Sequence, residues 1–416
     1  MNPLQHINLG NLICLFAFFL PISEKASTMV ILGTVIFVIW ENLIKKVKLS
    51  KKDNFNLLAL AALFLVYVIS LFFFSKNFDI KFLEMKLSLI AFPFIFYFNP
   101  NINKQQIIKY FVYGTAVAYF ICIGNAIQNS FILENGVYVF HPLKTDSRTF
   151  FEAIVYEGNN FFGKYFSFLY HNTYFAIYLT FSFLILLLQK NSFNKGIFYL
   201  LVVIFPLGVI QTMSRAGFGS LLIVLLLLII FKIKKLRLKI LLFGLFFLTI
   251  GIAFTIHPRL HLLVDNLISK GIELNPNGMD GHMLRLLSWD AALNVIKESP
   301  IYGAGIADAQ DTLEKAYHDK GYIHPLQRNL NAHNQFLQIY IECGIIGLLA
   351  LLALFWKLLK SIKDTLGENR ILLISFIALM AFNFMFESML NRYLGISFFS
   401  FFFCLLIYDI KSKRQF

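Results

Sequence analysis

Two arginines and one histidine are the side chains in this sequence best suited to chemistry on a charged substrate. Arg215 lies between two long apolar runs, Arg285 lies within a polar segment, and His333 directly precedes another apolar run. A planar guanidinium can hold phosphate oxygens through two parallel hydrogen bonds. An imidazole can take up and release a proton near neutral pH. Residues of these types at the ends of apolar runs indicate an anionic, lipid-linked substrate and a proton transfer.

Each of these three residues also has a purely structural interpretation. An arginine at the end of an apolar run, such as Arg215, can extend its charged head into the interface and cap a turn. Arg285 can occupy a solvated helix face. A histidine at the start of a helix, such as His333, is often a cap or an interface residue. Residue type and position alone leave both interpretations open.

Three further residues are candidate contacts for the same substrate. Trp289 follows Arg285 by four residues, so the two share a helix face. Asn334 is the neighbour of His333, and His171 opens another apolar run. An indole ring can stack on a sugar, although it can equally belong to a local core. We therefore predict that Trp289, Asn334 and His171 help to bind the substrate.

Glu387 is the candidate acidic residue. It lies near the end of a predicted membrane span, where a carboxylate is a functional candidate by default. Arg392 follows five residues later, so a structural ion pair between the two is the alternative. We include Glu387 among the predicted substrate-binding residues and keep the ion pair as its structural interpretation.

The rest of the sequence is typical of a membrane protein. The chain is 58% hydrophobic and 14% charged, whereas soluble domains average about 25% charged residues. Apolar runs of about 20 residues can cross a hydrocarbon core of roughly 30 Å. We predict an all-α, polytopic integral membrane protein that forms one domain over residues 1–416. The predicted spans are about twelve in number: 8–22, 27–44, 55–75, 82–98, 107–129, 169–188, 196–214, 216–232, 239–256, 334–358, 370–387 and 393–410.

The basic residues predict the orientation of these spans. The net charge is +14, and lysines and arginines cluster in every second short loop, for example at 45–52 and 232–239. The positive-inside rule places these loops in the cytoplasm. A large polar stretch, 257–333, between the ninth and tenth spans then faces outside, which is the periplasm in a Gram-negative cell. Acidic residues outnumber basic ones in this stretch, so the net charge reports topology and no nucleic-acid partner is expected.

The polar stretch is predicted to contain two short helices. Residues 283–298 carry apolar side chains at helical spacing and end at Ser299-Pro300. Residues 307–319 form the second helix, which Gly321 closes. Such helices would lie over the membrane domain and could form a lid.

No metal site is expected. Six of the nine histidines fall in the polar stretch, and His257 and His261 have the spacing of metal ligands on a helix. Pro258 interrupts that helix, however, and no carboxylate or cysteine completes a ligand set. The four cysteines all lie in predicted spans, so no exposed disulfide is indicated.

Three short motifs occur in a fixed order along the chain. The first is Ser214-Arg215-Ala216-Gly217 at the start of a span. The second is Arg285-x-x-x-Trp289-x-x-Ala292, followed by Pro300-x-x-Gly303-x-Gly305. The third is His333-Asn334-x-x-Leu337, which leads to Glu342-x-Gly344-x-x-Gly347. With the framework of about twelve spans and one large outer loop, this order resembles the O-antigen ligase family, which shares its pattern with O-antigen polymerases. The resemblance is densest over residues 170–400.

The resemblance implies a GT-C-like fold and a glycosyltransferase that needs no metal or other cofactor. Members take a glycan from polyprenyl (undecaprenyl) diphosphate and transfer it to an acceptor hydroxyl at the outer face of the inner membrane. Ligases use lipid A–core as acceptor in lipopolysaccharide biosynthesis, and polymerases use another lipid-linked repeat unit. On this chain, Arg215 and Arg285 would bind the diphosphate, and His333 would be the base or would orient the acceptor hydroxyl.

Several alternatives stay open at the level of sequence. The motifs do not separate a ligase from a polymerase, although the single dominant outer loop favours a ligase. His318 or His324 could be the base in place of His333. A polysaccharide-related membrane transporter is the alternative from another class, and it would carry charges buried in mid-span. The candidate charges here lie at span ends instead, which favours an interfacial enzyme.

Overall fold

The structure is a computed structural model that describes residues 8–45, 58–98, 102–143, 149–155, 158–256 and 274–412. Apart from one small sheet, the secondary structure of the described chain is helical. Its helices in chain order are α1 (Leu9–Phe19), α2 (Glu24–Lys45), α3 (Leu58–Ile69), α4 (Lys81–Glu84), α5 (Ser88–Tyr97), α6 (Lys104–Ser130), α7 (Phe150–Val155), α8 (Gly163–Phe166), α9 (Asn172–Leu188), α10 (Lys195–Gln211), α11 (Arg215–Lys232), α12 (Leu236–Ile256), α13 (Gly281–Glu298), α14 (Ala309–Asp319), α15 (Ile323–Gln327), α16 (Gln335–Ser361), α17 (Gly367–Phe384) and α18 (Tyr393–Ser412).

The predicted spans coincide with the apolar helices. Within the described residues, five helices are long and apolar enough to cross a membrane, namely Glu24–Leu43, Lys104–Ser130, Arg215–Lys232, Gln335–Asp364 and Gly367–Phe384. Six shorter apolar helical segments of 10–17 residues accompany them. The mainly helical membrane-protein class is thereby confirmed. The number of twelve spans and the outer position of the polar stretch stay predictions.

One hairpin departs from the all-helical prediction. Strands β1 (Phe131–Glu134) and β2 (Val137–Phe140) pair antiparallel directly after α6. Asn135 and Gly136 join them, and both have positive φ, 50° and 80°. Asn-Gly with positive φ at both positions is the preferred two-residue hairpin turn, because its twist matches that of the strands.

The chain divides into two compact units. The first comprises residues 1–45, 101–261 and 367–379, and the second comprises residues 46–100, 262–366 and 380–416. In the first unit, α9 is buried along nearly its whole length, as expected for a helix that is apolar on all sides. Helices α6, α10 and α11 pack against α9, and α1 packs on α6. A Cβ at Gly114 would lie 2.0 Å from the carbonyl oxygen of Phe18, so α1 and α6 approach at backbone distance.

In the second unit, the long helix α16 is the scaffold for the polar segment that precedes it. Helices α3 and α13 pack against it. Its backbone breaks at Gly344, which has φ 63° and ψ −160°. The loop after α13 fills this break: Ala304 N donates to Ile341 O at 2.7 Å, and Ile345 N donates to Pro300 O at 3.1 Å. A loop backbone thus satisfies polar groups that an unbroken helix would pair internally.

Glycine is required on both sides of this contact. A Cβ at Gly303 would lie 2.5 Å from Ile341 O, and a Cβ at Gly344 would lie 2.1 Å from Ile301 O. Both glycines also have positive φ, which disfavours other residues. These motif glycines therefore join the loop after α13 to α16.

The same loop is bound on its other side by the end of α3, where Ser70–Phe74 forms a π-helical turn. Ser70 Oγ accepts a hydrogen bond from Ile306 N at 3.0 Å and donates one to Glu342 O at 2.6 Å. The carboxylate of Asp308 accepts hydrogen bonds from the backbone N–H groups of Lys76 and Asn77. The loop is therefore fixed between α3 and α16.

Helices α13 and α14 confirm the two short helices predicted for the polar stretch, whereas α15 was not predicted. With the start of α16 they share one hydrophobic core made of Leu287, Ala291, Ala292, Val295, Ala309, Leu313, Tyr317, Tyr322, Ala332 and Ile341. Helices α13, α14 and α15 are therefore packed onto α16. Their role as a lid stays a prediction. The first part of the stretch, 257–273, which contains His257 and His261, lies outside the described residues.

An ion pair ties α13 to the end of α14. Asp290 accepts hydrogen bonds from Lys320 Nζ at 2.5 Å and from Tyr322 OH at 2.7 Å. Burial raises the pKa of the Asp290 carboxyl, but the hydrogen bonds from Lys320 and Tyr322 and the nearby lysine charges lower it more. The pKa of Asp290 therefore lies below its ordinary value. Burial and Asp290 raise the pKa of Tyr322 to about 12.

Candidate functional site

His333 lies in a strained turn at the start of α16. Its φ is 45°, in the left-handed region, which costs a non-glycine residue about 1–2 kcal/mol. Two side chains hold this turn. Asn331 Oδ1 accepts from His333 N at 2.9 Å, and Asn334 Oδ1 caps the helix by accepting from Phe336 N at 2.9 Å. Asn334 thus has a structural role in the turn, and its contact with substrate stays a prediction.

Glu387 lies between Arg285 and His333. Its Oε1 accepts a hydrogen bond from Arg285 Nη2 at 2.9 Å, and its Oε2 lies 3.5 Å from His333 Nδ1. The side chain of Glu387 is 8% exposed, and those of Arg285 and His333 are 25% and 26% exposed. The structure thus pairs Glu387 with Arg285 and places it beside His333. The structural pairing of Glu387 with Arg392, suggested by their spacing, stays a prediction.

Arg285 is held by the segment that follows α17 as well as by its own helix. Besides the bond to Glu387, its Nε donates to Phe386 O at 3.2 Å and its Nη1 donates to Gly281 O at 3.1 Å. The ring of Trp289 lies 6.4 Å from that of Phe386. The predicted shared face of Arg285 and Trp289 is confirmed, since both residues meet Phe386. Trp289 Nε1 is buried without a hydrogen-bond partner among the described residues.

Arg215 begins α11 in the first unit. Ser214 caps this helix: its Oγ accepts from Gly217 N at 3.0 Å and donates to Thr173 Oγ1 at 3.3 Å. A Cβ at Gly217 would lie 2.3 Å from the Cβ of Ala176, so the glycine allows α11 to approach α9 closely. Arg215 itself is half-buried.

His171 lies at the same end of the first unit. It precedes α9, and its exposed ring contacts that of Tyr174 edge to face, with 6.2 Å between centroids. The starts of α9 and α11 are adjacent because Asn172 Nδ2 donates to Thr212 O at 2.8 Å. The structure therefore brings the backbone positions of His171 and Arg215 to one end of the unit.

The two sets of candidates belong to different units. Arg215 and His171 lie in the first unit, and Arg285, His333 and Glu387 lie in the second. The structure shows the cluster of Arg285, Glu387 and His333 within one unit. The convergence of Arg215 on that cluster stays a prediction.

A buried polar network next to the His333 turn was not found from the sequence. Lys86 is 1% exposed and Glu342 is 2% exposed. Asn391 bridges them, because its Oδ1 accepts from Lys86 Nζ at 2.9 Å and its Nδ2 donates to Glu342 Oε1. The signal was present, since each charged residue lies within a predicted span, where an ionisable side chain is costly.

Metal binding is not indicated by the described residues, among which no group of three or more His, Cys, Asp and Glu side chains could hold an ion. His257 and His261 lie outside them. Independence from metals and cofactors stays a prediction.

The comparisons with known proteins agree with the resemblance found in the sequence. Residues 200–352, which include Arg215, Arg285 and His333, match the family model of the O-antigen ligase. Three similar curated proteins each carry the name "Putative polysaccharide ligase". The relative from Rickettsia conorii is 39% identical over 90 residues, which is 20% of this chain and 21% of the relative. Those from Rickettsia prowazekii and Rickettsia typhi are each 31% identical, over 195 and 193 residues, which is 44% of either chain.

The matched segments thus cover less than half of the relatives' own length. The resemblance to the O-antigen ligase family is confirmed, and the matches support a ligase-type role for this membrane protein.

Proposed function

We propose that this O-antigen ligase-like membrane protein transfers a glycan from polyprenyl diphosphate, in bacteria undecaprenyl diphosphate, to a hydroxyl of lipid A–core. The acceptor oxygen forms a bond to the anomeric carbon of the glycan. The bond from that carbon to the diphosphate oxygen breaks. The acceptor proton passes to a base, and polyprenyl diphosphate leaves. The reaction would take place at the periplasmic face of the inner membrane.

The observation that carries the proposal is the position of Glu387 between Arg285 and His333. A carboxylate beside one ring nitrogen of histidine favours the tautomer whose proton lies on that nitrogen. Glu387 Oε2 lies 3.5 Å from His333 Nδ1, which makes no hydrogen bond among the described residues. A proton held on Nδ1 by this carboxylate would leave Nε2 to accept the proton of the acceptor hydroxyl. Glu387 then stabilises the imidazolium that forms. Its role in this proposal is to orient the base.

Arg285 stabilises the leaving group. A guanidinium has five N–H donors, and the described chain uses three of them, toward Glu387, Phe386 and Gly281. Two N–H groups are left for phosphate oxygens. Donors that are already fixed in place lower the barrier most, because they need no reorganisation when charge develops. The three bonds to the protein fix the guanidinium in this way.

Arg215 supplies the second positive charge. It is the first residue of α11, where the helix dipole also favours an anion. Polyprenyl diphosphate is already a good leaving group, so its stabilisation needs neutralisation of charge. Two arginines provide this neutralisation without a metal. The apolar helices that begin at this end of the first unit would accept the prenyl chain.

The mechanism is tested by alanine substitution in a transfer assay with purified protein, polyprenyl diphosphate-linked glycan and lipid A–core. We expect Arg215→Ala, Arg285→Ala and His333→Ala each to lower kcat/KM by about 10²-fold or more. The matched controls are Arg328→Ala and His318→Ala, which remove the same residue types from exposed positions of the outer segment. Normal insertion is checked from the amount of protein in the membrane fraction. Loss of activity in His318→Ala but not in His333→Ala would contradict the assignment of the base.

Two further measurements test the reaction class. Activity in excess chelator is expected, and loss that a divalent ion restores would exclude the metal-free mechanism. Deletion of the gene is expected to remove all glycan attached to lipid A–core, with lipid-linked polymer accumulating. Retention of a single attached repeat would instead identify a polymerase. An unchanged glycan ladder would exclude both activities.

A further inference from the structure

We infer that Lys86 and Glu342 are positioning residues that hold Glu387 in register with His333. The inference rests on the proposed function in one respect: that function is the reason why the position of Glu387 relative to His333 matters. The contacts that support it lie entirely within the second unit. They connect the segment 387–391 to the turn that carries His333.

Lys86 and Gln335 fix the backbone that follows Glu387. Lys86 Nζ donates to Leu390 O at 2.7 Å, and Gln335 Oε1 accepts from Leu390 N at 2.6 Å. Both backbone polar groups of Leu390 are therefore bound by side chains. The ammonium of Lys86 also lies 4.6 Å from the ring centre of Tyr67, a favourable position for a cation.

One carboxylate oxygen connects the two halves of the site. Glu342 Oε1 accepts from Asn391 Nδ2 and also from Gln338 Nε2, the latter at 2.8 Å. Gln338 Oε1 in turn accepts from Ala332 N at 3.0 Å, directly before His333. Hydrogen bonds thus connect both the segment that follows Glu387 and the turn of His333 to Glu342 Oε1.

The charges give this network one orientation. The amide of Asn391 has its oxygen toward the Lys86 ammonium and its NH₂ toward the Glu342 carboxylate. A flipped amide would place its NH₂ against the ammonium and its oxygen against the carboxylate, so the flip is disfavoured. A buried charge pair of this kind contributes little net stability compared with apolar side chains. Its contribution here is to fix the position of the segment 387–391.

The test uses the full-length protein with the double substitution Lys86→Met and Glu342→Gln. Each single change would leave one buried charge uncompensated, whereas the double change is neutral and keeps the acceptor at position 342. We expect the double variant to insert and remain folded. Its kcat should fall by about tenfold or more, with the KM for donor within about threefold of the original. Amide hydrogen exchange should rise by about tenfold or more in 386–392 and 331–334, but not in α14.

Two further variants keep the inference falsifiable. Lys315→Met removes an exposed lysine on α14 and should change neither kinetics nor exchange at the site. Asn391→Ala removes only the bridging amide, so it replaces the double variant if that protein does not fold, and the same loss of kcat and gain in exchange are expected. A folded variant with unchanged kcat and unchanged exchange would overturn the inference and leave the network a purely structural role. Exchange needs no substrate, so this measurement still decides the inference if the wild-type protein lacks the proposed transferase activity.

Discussion

The turn that precedes α11 in the first unit and the turn that precedes α16 in the second are built from the same parts. In each, a non-glycine residue with positive φ comes first, Met213 at 53° and His333 at 45°. A capping side chain follows, Ser214 or Asn334, and accepts hydrogen bonds from the first turn of the helix. The two turns differ in where the candidate residue lies.

This difference separates two ways of placing a reactive side chain. In the first turn, the buried Met213 carries the strain, and Arg215 follows the cap as an ordinary helical residue. In the second turn, His333 carries the strain itself. Local hydrogen bonds with Asn331 and, through Ala332, with Gln338 hold this turn, and Ser388 and Glu387 contact it from a distant part of the sequence. Strain on a residue persists only when its surroundings fix it. The position of His333 should therefore depend on packing around the site, and that of Arg215 mainly on its helix.

The largest expected effect comes from substitutions at His333 and Met213, the two residues with positive φ. These substitutions distinguish the contribution of backbone strain from that of the imidazole. Asparagine tolerates the left-handed region better than most residues, so His333→Asn keeps the backbone and removes the imidazole. We expect kcat to fall by about 10²–10⁴-fold, the usual loss for a general base. Met213→Leu conserves volume and should change kcat by less than about threefold. Equal losses in both variants, measured in the transfer assay, would show that turn geometry rather than the imidazole determines activity.

The next effect concerns the glycines that support each turn. Gly344→Ala would place a Cβ 2.1 Å from Ile301 O at a residue with φ 63°, so we expect a loss of at least about 3 kcal/mol of stability. Gly217→Ala would place a Cβ 2.3 Å from the methyl group of Ala176 and about 3.1–3.2 Å from the Ser214 side chain, and a loss of about 1–3 kcal/mol is expected from overpacking. Thermal unfolding in detergent measures both. A greater loss for Gly217→Ala would contradict the view that the second site depends more on tertiary contacts.

Local pattern was sufficient to predict much of the second unit. Apolar spacing and Ser299-Pro300 predicted α13, and the four-residue spacing of Arg285 and Trp289 predicted their common face. The hairpin at Asn135-Gly136 was missed although its turn signal was present.

The spacing of residues along the chain could not predict which residues distant in sequence contact each other. Arg392 is near Glu387 in sequence, but spacing did not indicate the ion pair that Glu387 forms with Arg285 from a distant helix. The break at Gly344 was not predicted, because hydropathy is continuous across it and the loop that fills it comes from another segment. Lys86 and Glu342 each violate the apolar pattern of a predicted span, but a single sequence does not indicate that the same asparagine bridges them.

Removal of the two helix caps should have smaller effects that differ in kind. Loss of an N-cap side chain costs about 1 kcal/mol of stability, so Ser214→Ala and Asn334→Ala should destabilise the protein to a similar degree. Ser214→Ala would shift Arg215, the proposed donor-binding residue, and should raise the KM for donor by about threefold to tenfold. Asn334→Ala loosens the His333 turn and should lower kcat by about tenfold. Steady-state kinetics with varied donor measures both, and the reverse assignment would contradict the roles given to the two turns.

The smallest expected effect is the acid sensitivity of α13 and α14 in the second unit. The folded-state pKa of Asp290 is lowered, so its contribution to stability is complete above its unfolded pKa of about 3.9. That contribution is lost as pH falls through the lower folded-state value. Hydrogen exchange in α13 and α14 should therefore rise below about pH 4, and Asp290→Asn should show raised exchange already at pH 7. In the first unit, Glu368 pairs with Lys232 at a more exposed position, so Glu368→Gln should have little effect because solvent screens such pairs. Equal effects of the two substitutions would show that burial does not distinguish these ion pairs.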